Sequence, residues 1–203
     1  RGFARARSGP NSGHHQILSE RPVLIIPDVH KDSGFLERCL SIGQSEKVSE
    51  ILLLGDLLDA KAPMSRRPES IRRTLGVVRK LLDEQAPPTS LLWGNHDWMY
   101  WSQRILLKVL QEEGESDLGS LLTAGLDPVT VKVLMEPSGN GSERNMSLFE
   151  RALLAADRSD WLISHAGVHA SLWPSGSDLK EGVRILNRKM AVLAEDPTTT
   201  DDH

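Results

Sequence analysis

Three short apolar runs mark the first half of the chain. They lie at residues 23–26, 51–54 and 90–93, and they are rich in leucine and isoleucine. Runs of this length and composition are typical of strands that are buried on both faces of a parallel sheet. We therefore predict three strands at these positions.

Between these runs, apolar residues recur at the three- and four-residue spacing of amphipathic helices. The first such stretch begins near Phe35, and Gly43 is a suitable place for it to end. The second begins at Pro68, which suits a first helical turn, and it stops before Pro87. The order strand, helix, strand, helix, strand predicts an α/β fold in which helices pack against a parallel sheet.

The second half of the chain has weaker patterns, and the two ends have none. Residues 1–20 are rich in Arg, Gly and Ser, and we expect a flexible leader there. The folded domain is then residues 21–196, followed by a disordered tail at 197–203. We expect helices at 105–110, 148–156 and 179–193, strands at 129–135 and 161–164, and loops at 113–128 and 136–146.

Polar residues follow each of four predicted strands at its C-terminal end. In open α/β sheets this edge is where ligands bind, so we expect the four clusters to converge in space. The clusters are Pro27-Asp28-Val29-His30, Gly55-Asp56-Leu57-Leu58-Asp59, Gly94-Asn95-His96-Asp97 and Ser164-His165-Ala166-Gly167.

The side chains in these clusters suit metal chemistry. Carboxylate, amide oxygen and imidazole are ligands for Mn, Fe, Zn or Mg rather than for a thiolate-binding metal. One carboxylate can bridge two ions, and ions ~3.5–4 Å apart can hold a phosphoryl group and activate a water. Gly55 and Gly94 permit sharp turns directly after a strand. Asp-x-His and Gly-Asp alone are common by chance and Gly-Asn-His-Asp is rarer, but the ordered set of four is hard to explain as coincidence and indicates a metal site.

In this order the clusters resemble the signature of the calcineurin-like metallophosphoesterases: D-x-H, G-D-x-x-D, G-N-H-[DE] and a strand-end histidine. The match spans about residues 21–196. The resemblance implies a β-sandwich flanked by helices, with a dinuclear metal site at the C-terminal ends of the strands. The wording His165-Ala166-Gly167 is most similar to the Ser/Thr protein phosphatase branch.

The resemblance also assigns the metal ligands. Asp28 and His30 would bind the first ion, Asp56 would bridge both ions, and Asn95 and His165 would bind the second. The implied cofactors are two divalent ions, chosen from Mn, Fe, Zn and Mg, with Mn favoured.

His96 and Asp59 are the catalytic residues that the resemblance implies. His96 would donate a proton to the leaving group or hydrogen-bond the phosphate, and Asp59 would orient it. A carboxylate fixes the tautomer of an imidazole and raises its pKa, which suits a general acid near neutral pH.

The chain departs from the phosphatase pattern around the phosphate. Lys31 stands where those enzymes carry Gly, Ala60 stands in place of Arg, and Asp97 stands in place of Glu. The missing Arg removes a bidentate phosphate ligand. Three nearby basic residues are candidates to replace it: Lys61, Arg66 and Arg67.

The final Gly-His motif of the family has no counterpart here. After His165 only His169 and His203 remain, and we read His169 as a loop residue. We expect the domain to be incomplete at its C-terminus, with the last metal ligand beyond the chain end.

An aromatic cluster surrounds the third polar cluster. Trp93, Trp98, Tyr100 and Trp101 lie beside residues 94–97 in a chain that is only 4% aromatic. Trp93 lies within a predicted strand, so we expect it to be buried. For Trp98 and Trp101, the sequence favours neither burial nor stacking on a substrate over the other.

The composition of the chain disfavours some classes of binding partner. The net charge of −4 gives no electrostatic reason for a constitutive nucleic-acid or anionic-membrane partner. The single cysteine, Cys39, rules out an intrachain disulfide. No apolar run approaches the ~20 residues of a membrane span, and the N-terminus has no apolar signal-peptide core. We expect a cytoplasmic protein, and the oligomeric state stays open.

The leading hypothesis is metal-dependent hydrolysis of phosphoesters by a metal-bridged hydroxide. A phosphomonoesterase is favoured, with a phosphorylated small molecule or a phosphoprotein as substrate. One alternative is a nucleotide or nucleic-acid phosphodiesterase, which the negative net charge disfavours. Another is a non-catalytic binding scaffold on the same fold, which the absent final histidine favours and the pairing of His96 with Asp59 disfavours.

Overall fold

The computed structural model of the protein describes residues 22–58, 67–84, 86–103, 125–137, 145–158 and 160–195. Several sequence predictions lie outside these ranges: the leader 1–20, the helix at 105–110, the tail 197–203, and the residues Asp59, Ala60, Lys61 and Arg66.

The first half of the chain forms strands and helices in the predicted order. Its elements are β1 (Val23–Ile26), α1 (Ser33–Ser45), β2 (Glu50–Leu53), α2 (Pro68–Asp83), β3 (Thr89–Leu91) and α3 (Asn95–Ser102). The three strands form a parallel sheet with β2 in the centre, so their C-terminal ends lie at one edge. The predicted α/β architecture with a parallel sheet is confirmed.

The core lies where α1 and α2 pack against this sheet. Leu36 of α1 and Ile71 of α2 are fully buried in it. Gly43 does not end α1 as expected, because the helix continues to Ser45. A Cβ on Gly43 would lie 2.7 Å from the Cδ2 atom of Leu24, so the glycine allows α1 to pack closely on β1.

The strand predicted at 129–135 is wrong, because these residues form helix α4 (Pro128–Met135). The Asp127 carboxylate accepts a hydrogen bond from the Thr130 N–H and caps the helix, and Pro128 occupies its first turn. Burial of Val131 and Leu134 on one face outweighs the strand propensity of the β-branched residues.

The helix predicted at 148–156 is wrong beyond residue 151, because only its first residues are helical. A 3-10 helix (Asn145–Arg151) begins within the predicted loop, and Leu153 then pairs with Leu92 in parallel beside β3. The remaining elements are β4 (Ala156–Arg158), β5 (Trp161–Ile163), a 3-10 turn (Ala170–Leu172) and α5 (Leu179–Glu195). β4 and β5 pair antiparallel in a separate two-stranded sheet, and the two-layer sandwich stays a prediction.

None of the helices in the described ranges is long and apolar enough to cross a membrane.

Candidate metal centre

The loops that follow β1 and β2 are joined by backbone hydrogen bonds at the C-terminal edge of the sheet. The N–H of His30 donates to the carbonyl of Asp56 (2.8 Å), and the N–H of Lys31 donates to that of Leu57 (2.9 Å). The N–H of His96, at the start of α3, donates to the Asp56 carboxylate (3.0 Å). Three of the four predicted clusters therefore meet around Asp56.

Two glycines make this meeting possible. Gly55 has a φ of +91°, and a Cβ placed on it would lie 2.3 Å from the backbone nitrogen of Gly94. A Cβ on Gly94 would lie 2.1 Å from the backbone nitrogen of Asp56. The turns after β2 and β3 are thus in direct backbone contact, which any larger residue would prevent.

Asp28, His30 and Asp56 form a group that could hold a metal ion. One ligand atom from each lies within 4.8 Å of the others. His30 and Asp56 are buried, and both have a φ of +47°, a strained value for residues other than glycine. Strained and buried polar residues of this kind are typical of functional sites.

The surroundings of His30 fit a metal ion. Both of its ring nitrogens are buried and have no hydrogen-bond partner among the described residues. The Nε2 atom is 3.6 Å from an Asp28 carboxylate oxygen, which is too far for a hydrogen bond. Leaving a buried polar group unpaired costs about 1–3 kcal/mol, and coordination of a cation would satisfy it. Carboxylate oxygen and imidazole nitrogen are suitable donors for a divalent ion.

His165 joins the group from the loop after β5. Its Nδ1 atom is 2.9 Å from the carbonyl oxygen of Leu54, and its Nε2 atom is 3.0 Å from Oδ1 of Asn95. The same Nε2 atom is 3.4 Å from the Asp56 carboxylate. All five residues predicted as metal ligands are therefore gathered at one edge of the sheet.

The family model for calcineurin-like phosphoesterases matches residues 21–190. The chain belongs to this family. A search of curated proteins and a search of solved structures each find no match. The protein is a metal-dependent phosphoesterase, and the assignment to the Ser/Thr phosphatase branch stays a prediction.

The predicted catalytic residues of this phosphoesterase are only partly described. His96 is partly exposed, its Nε2 atom is 4.0 Å from the Asp56 carboxylate, and its ring centroid is 5.9 Å from that of His30. Asp59 lies outside the described residues, so its pairing with His96 stays a prediction.

Asp97 has a structural position in the phosphoesterase that the sequence did not reveal. Its carboxylate is fully buried and accepts a hydrogen bond from the N–H of Leu58 (3.0 Å). Burial raises the pKa of Asp97 to about 7, although this hydrogen bond acts in the opposite direction. Asp97 thereby fastens the loop after Asp56 to α3. The sequence showed only an acid in place of the family's Glu.

The aromatic cluster belongs to the core rather than to an open wall. Trp93 is buried, as predicted, and it stacks on Phe149 at a centroid distance of 5.7 Å. Trp101 is also buried and donates its indole N–H to the carbonyl of Ala194 (3.1 Å). Trp98 is partly buried, with its ring 5.4 Å from that of Trp93. For Trp101 the substrate-stacking reading is wrong.

Proposed function

We propose that this phosphoesterase hydrolyses phosphomonoesters at a site that holds two divalent ions, with Mn²⁺ as the favoured metal. Asp28 and His30 are the ligands assigned to one ion, and Asn95 and His165 are those assigned to the other. Asp56 would be a ligand shared by both. The substrate is a phosphorylated small molecule or a phosphoprotein.

The position of Asp56 carries this proposal. Its carboxylate belongs to the group formed with Asp28 and His30, and it is also 3.4 Å from the Nε2 atom of His165. One carboxylate is thus within reach of ligands assigned to each of the two ions, as a shared ligand must be.

The contacts of His165 support a second ion. Both ring nitrogens face oxygen atoms, the Leu54 carbonyl and, with its amide oriented as here, Oδ1 of Asn95. A neutral imidazole has one N–H and can donate to only one of them. With Nδ1 donating to Leu54, Nε2 has a lone pair that a cation shared with Asn95 and Asp56 would accept.

The ions, when bound, would polarise the phosphoryl oxygens and lower the pKa of a bound water. His96 donates a proton to the leaving oxygen, which the metal ions do not do. Its backbone N–H is held by the Asp56 carboxylate, and its ring is partly exposed beside the candidate ligands. Orientation of that ring by Asp59 stays a prediction. General acid catalysis of this kind contributes about 10²–10⁴-fold.

Arg67 is the one basic candidate for phosphate binding that the structure describes. It is exposed at the N-cap of α2, and the hydroxyl of Ser70, in the first turn, donates to the carbonyl of Lys31 (2.5 Å). The start of α2 is therefore attached to the loop that carries Asp28 and His30. Arg67 is therefore a candidate for the phosphate beside Lys61 and Arg66, and if it binds the phosphate, Arg67→Ala should raise KM more than it lowers kcat.

The function is tested with p-nitrophenyl phosphate, phenyl phosphate and bis(p-nitrophenyl) phosphate, with added Mn²⁺ and after chelation. Wild-type turnover should require Mn²⁺ and favour the monoesters. His96→Ala should slow phenyl phosphate more than p-nitrophenyl phosphate, because the poorer leaving group needs the proton more. Preference for the diester would move the assignment to a phosphodiesterase. No turnover of any ester with Mn²⁺, or with Fe²⁺, Zn²⁺ or Mg²⁺ added in its place, would favour the scaffold.

A pair of histidine variants provides the matched control. His165→Ala should abolish most Mn²⁺-dependent turnover. His169→Ala should leave it unchanged, because His169 is exposed and its contacts are to Ser171 in its own turn. Equal effects of the two substitutions would contradict the ligand assignment of His165.

A further inference from the structure

Lys31, directly after His30, is a fully buried cation. Only 1% of it is exposed. Its ammonium group donates to the Asp127 carboxylate (3.1 Å) and to the hydroxyl oxygen of Thr130 (2.5 Å), both at the start of α4. A buried charge is costly unless it is paired and hydrogen-bonded. These two partners therefore fix the position of the Lys31 side chain, and Lys31 is not available as a phosphate ligand.

Asp127 has hydrogen-bond donors other than the lysine that it binds. Its carboxylate also accepts hydrogen bonds from the N–H (3.1 Å) and the hydroxyl (2.5 Å) of Thr130. Burial alone would raise the pKa of Asp127, but the bonds from Thr130 and Lys31 outweigh it and hold that pKa below its usual value. The carboxylate is therefore charged at neutral pH and matches the charge of Lys31.

The backbone of Asp127 contacts a second part of the metal centre. Its N–H donates to the phenolic oxygen of Tyr100 (3.0 Å), a side chain that is 1% exposed. Tyr100 lies on α3, whose first residues are Asn95 and His96. One residue on α4 thus contacts both the loop of His30 and the helix that begins with Asn95.

We propose that Asp127 is a positioning residue for the metal centre. It holds the loop of His30 through Lys31 and the helix of Asn95 through Tyr100, so that both meet Asp56 in the geometry described above. We refer to Lys31, Tyr100, Asp127 and Thr130 as the Lys31 cluster. The inference rests on the metal centre proposed above, and it assigns the retention of that geometry to contacts outside the ligands.

The other end of α4 offers a matched control. Glu136 caps it and binds Arg72 of α2 through two hydrogen bonds of 2.7 Å each. An eight-residue helix is about 12 Å long, so this ion pair ties down the same helix one helix length from Asp127. Glu136→Gln weakens the attachment of α4 without touching the Lys31 cluster.

The test is Mn²⁺ affinity, measured by calorimetric titration of folded protein well below its melting temperature. The variants are Asp127→Asn, Lys31→Met and Glu136→Gln. Asparagine is also a good N-cap, so Asp127→Asn keeps α4 and removes the charge. Loss of a group that orients metal ligands typically weakens affinity by about 10–100-fold. We expect this loss for Asp127→Asn and Lys31→Met, and less than about twofold for Glu136→Gln.

The double variant Lys31→Met/Asp127→Asn adds a second criterion. Because the two side chains act through one contact, the double variant should lose little more affinity than either single one. Unchanged affinity in both single variants, or an equal loss in Glu136→Gln, would overturn the inference while the metal centre stands. A wild-type protein that binds neither Mn²⁺ nor Zn²⁺ would overturn the metal centre itself, and the inference with it.

Discussion

The two sides of the loop after β1 differ in whether their buried polar groups have hydrogen-bond partners. On one side, His30 has two buried ring nitrogens without a hydrogen-bond partner in the described structure. On the other, the next residue, Lys31, has its buried ammonium group bonded to Asp127 and Thr130. Both residues have positive φ values, +47° and +64°. The same backbone conformation thus occurs at one side chain that is suited to bind a metal ion and at one whose hydrogen bonds are made within the protein.

The difference distinguishes a side chain that binds a ligand from one that stabilises the fold. A group left unpaired in the folded protein costs stability, and that cost is recovered only when a ligand binds. A group with its partners in place contributes its stability at all times. Substitutions on the His30 side should therefore act on metal binding and turnover, and substitutions on the Lys31 side should act on stability as well.

The largest effect is expected on the His30 side. His30→Ala should lower kcat for p-nitrophenyl phosphate by about two to three powers of ten, because the Lewis acidity of a bound ion is worth several kcal/mol. It should also reduce stabilisation by Mn²⁺, which is about 2.7 kcal/mol for one site at 100 times its Kd, while the ligands assigned to the second ion remain. Melting curves with and without Mn²⁺ check this. A variant that Mn²⁺ still stabilises as strongly would contradict the assignment.

Substitution of Lys31 should lower the free energy of unfolding even in the absence of metal. Lys31→Met keeps the apolar stem and leaves the Asp127 carboxylate without its cation. Breaking a buried pair costs about 3–5 kcal/mol, and the 29% exposure of Asp127 reduces this to about 2–3 kcal/mol. Urea unfolding in the presence of chelator measures it. Arg72→Met, which breaks an exposed pair, should cost less than about 1 kcal/mol. Equal costs would remove the distinction between the two pairs.

A smaller effect should appear with pH. The pKa of Asp127 is lower in the folded state than its usual value of 3.8, so the folded protein holds a proton there less tightly than the unfolded chain. Its contribution is present above that usual pKa and is lost as pH falls through the folded pKa. The stability gap between wild type and Asp127→Asn should therefore be constant near neutrality and shrink below pH 3.8. A gap that widened in acid would have the wrong sign.

The smallest effect concerns α2, away from both sides of the loop. Gly76 is exposed within this helix, and nothing lies within 4 Å of a Cβ placed on it. Gly76→Ala should raise the free energy of unfolding by about 0.5–1 kcal/mol and leave Mn²⁺ affinity unchanged. Gly43→Ala should gain less, because the added methyl would lie 2.7 Å from the Cδ2 atom of Leu24 and that side chain would have to shift. Thermal melting distinguishes the two.

The sequence predicted the first half of the fold well because its strands are buried on both faces. Each of the first three strands lies within one or two residues of its apolar run. The gathering of Asp28, Asp56 and Asn95 followed from that sheet. The alternating pattern of residues 129–135 predicts a strand, whereas the observed helix depends on capping by Asp127 and on burial.

The Lys31 cluster could not be predicted from local patterns. Lys31 and its partners Asp127 and Thr130 are 96 and 99 residues apart in sequence. Nothing near either end of these contacts indicates the other. In the sequence, Lys31 is noticeable only as a departure from the family's glycine, and the segment before Pro128 is predicted to be a loop. Such contacts arise from tertiary packing, which a single sequence does not record.

The arrangement of the tryptophans gives the protein its own optical reporter. Trp93, Trp98 and Trp101 pack together next to Asn95 and His96, with ring centroids 5.4 and 5.8 Å from Trp93. Trp161, by contrast, is 75% exposed. Iodide will therefore quench the emission of Trp161 and spare that of the buried indoles. A fluorescence titration in the presence of iodide therefore reports on the packing around α3 without any attached dye.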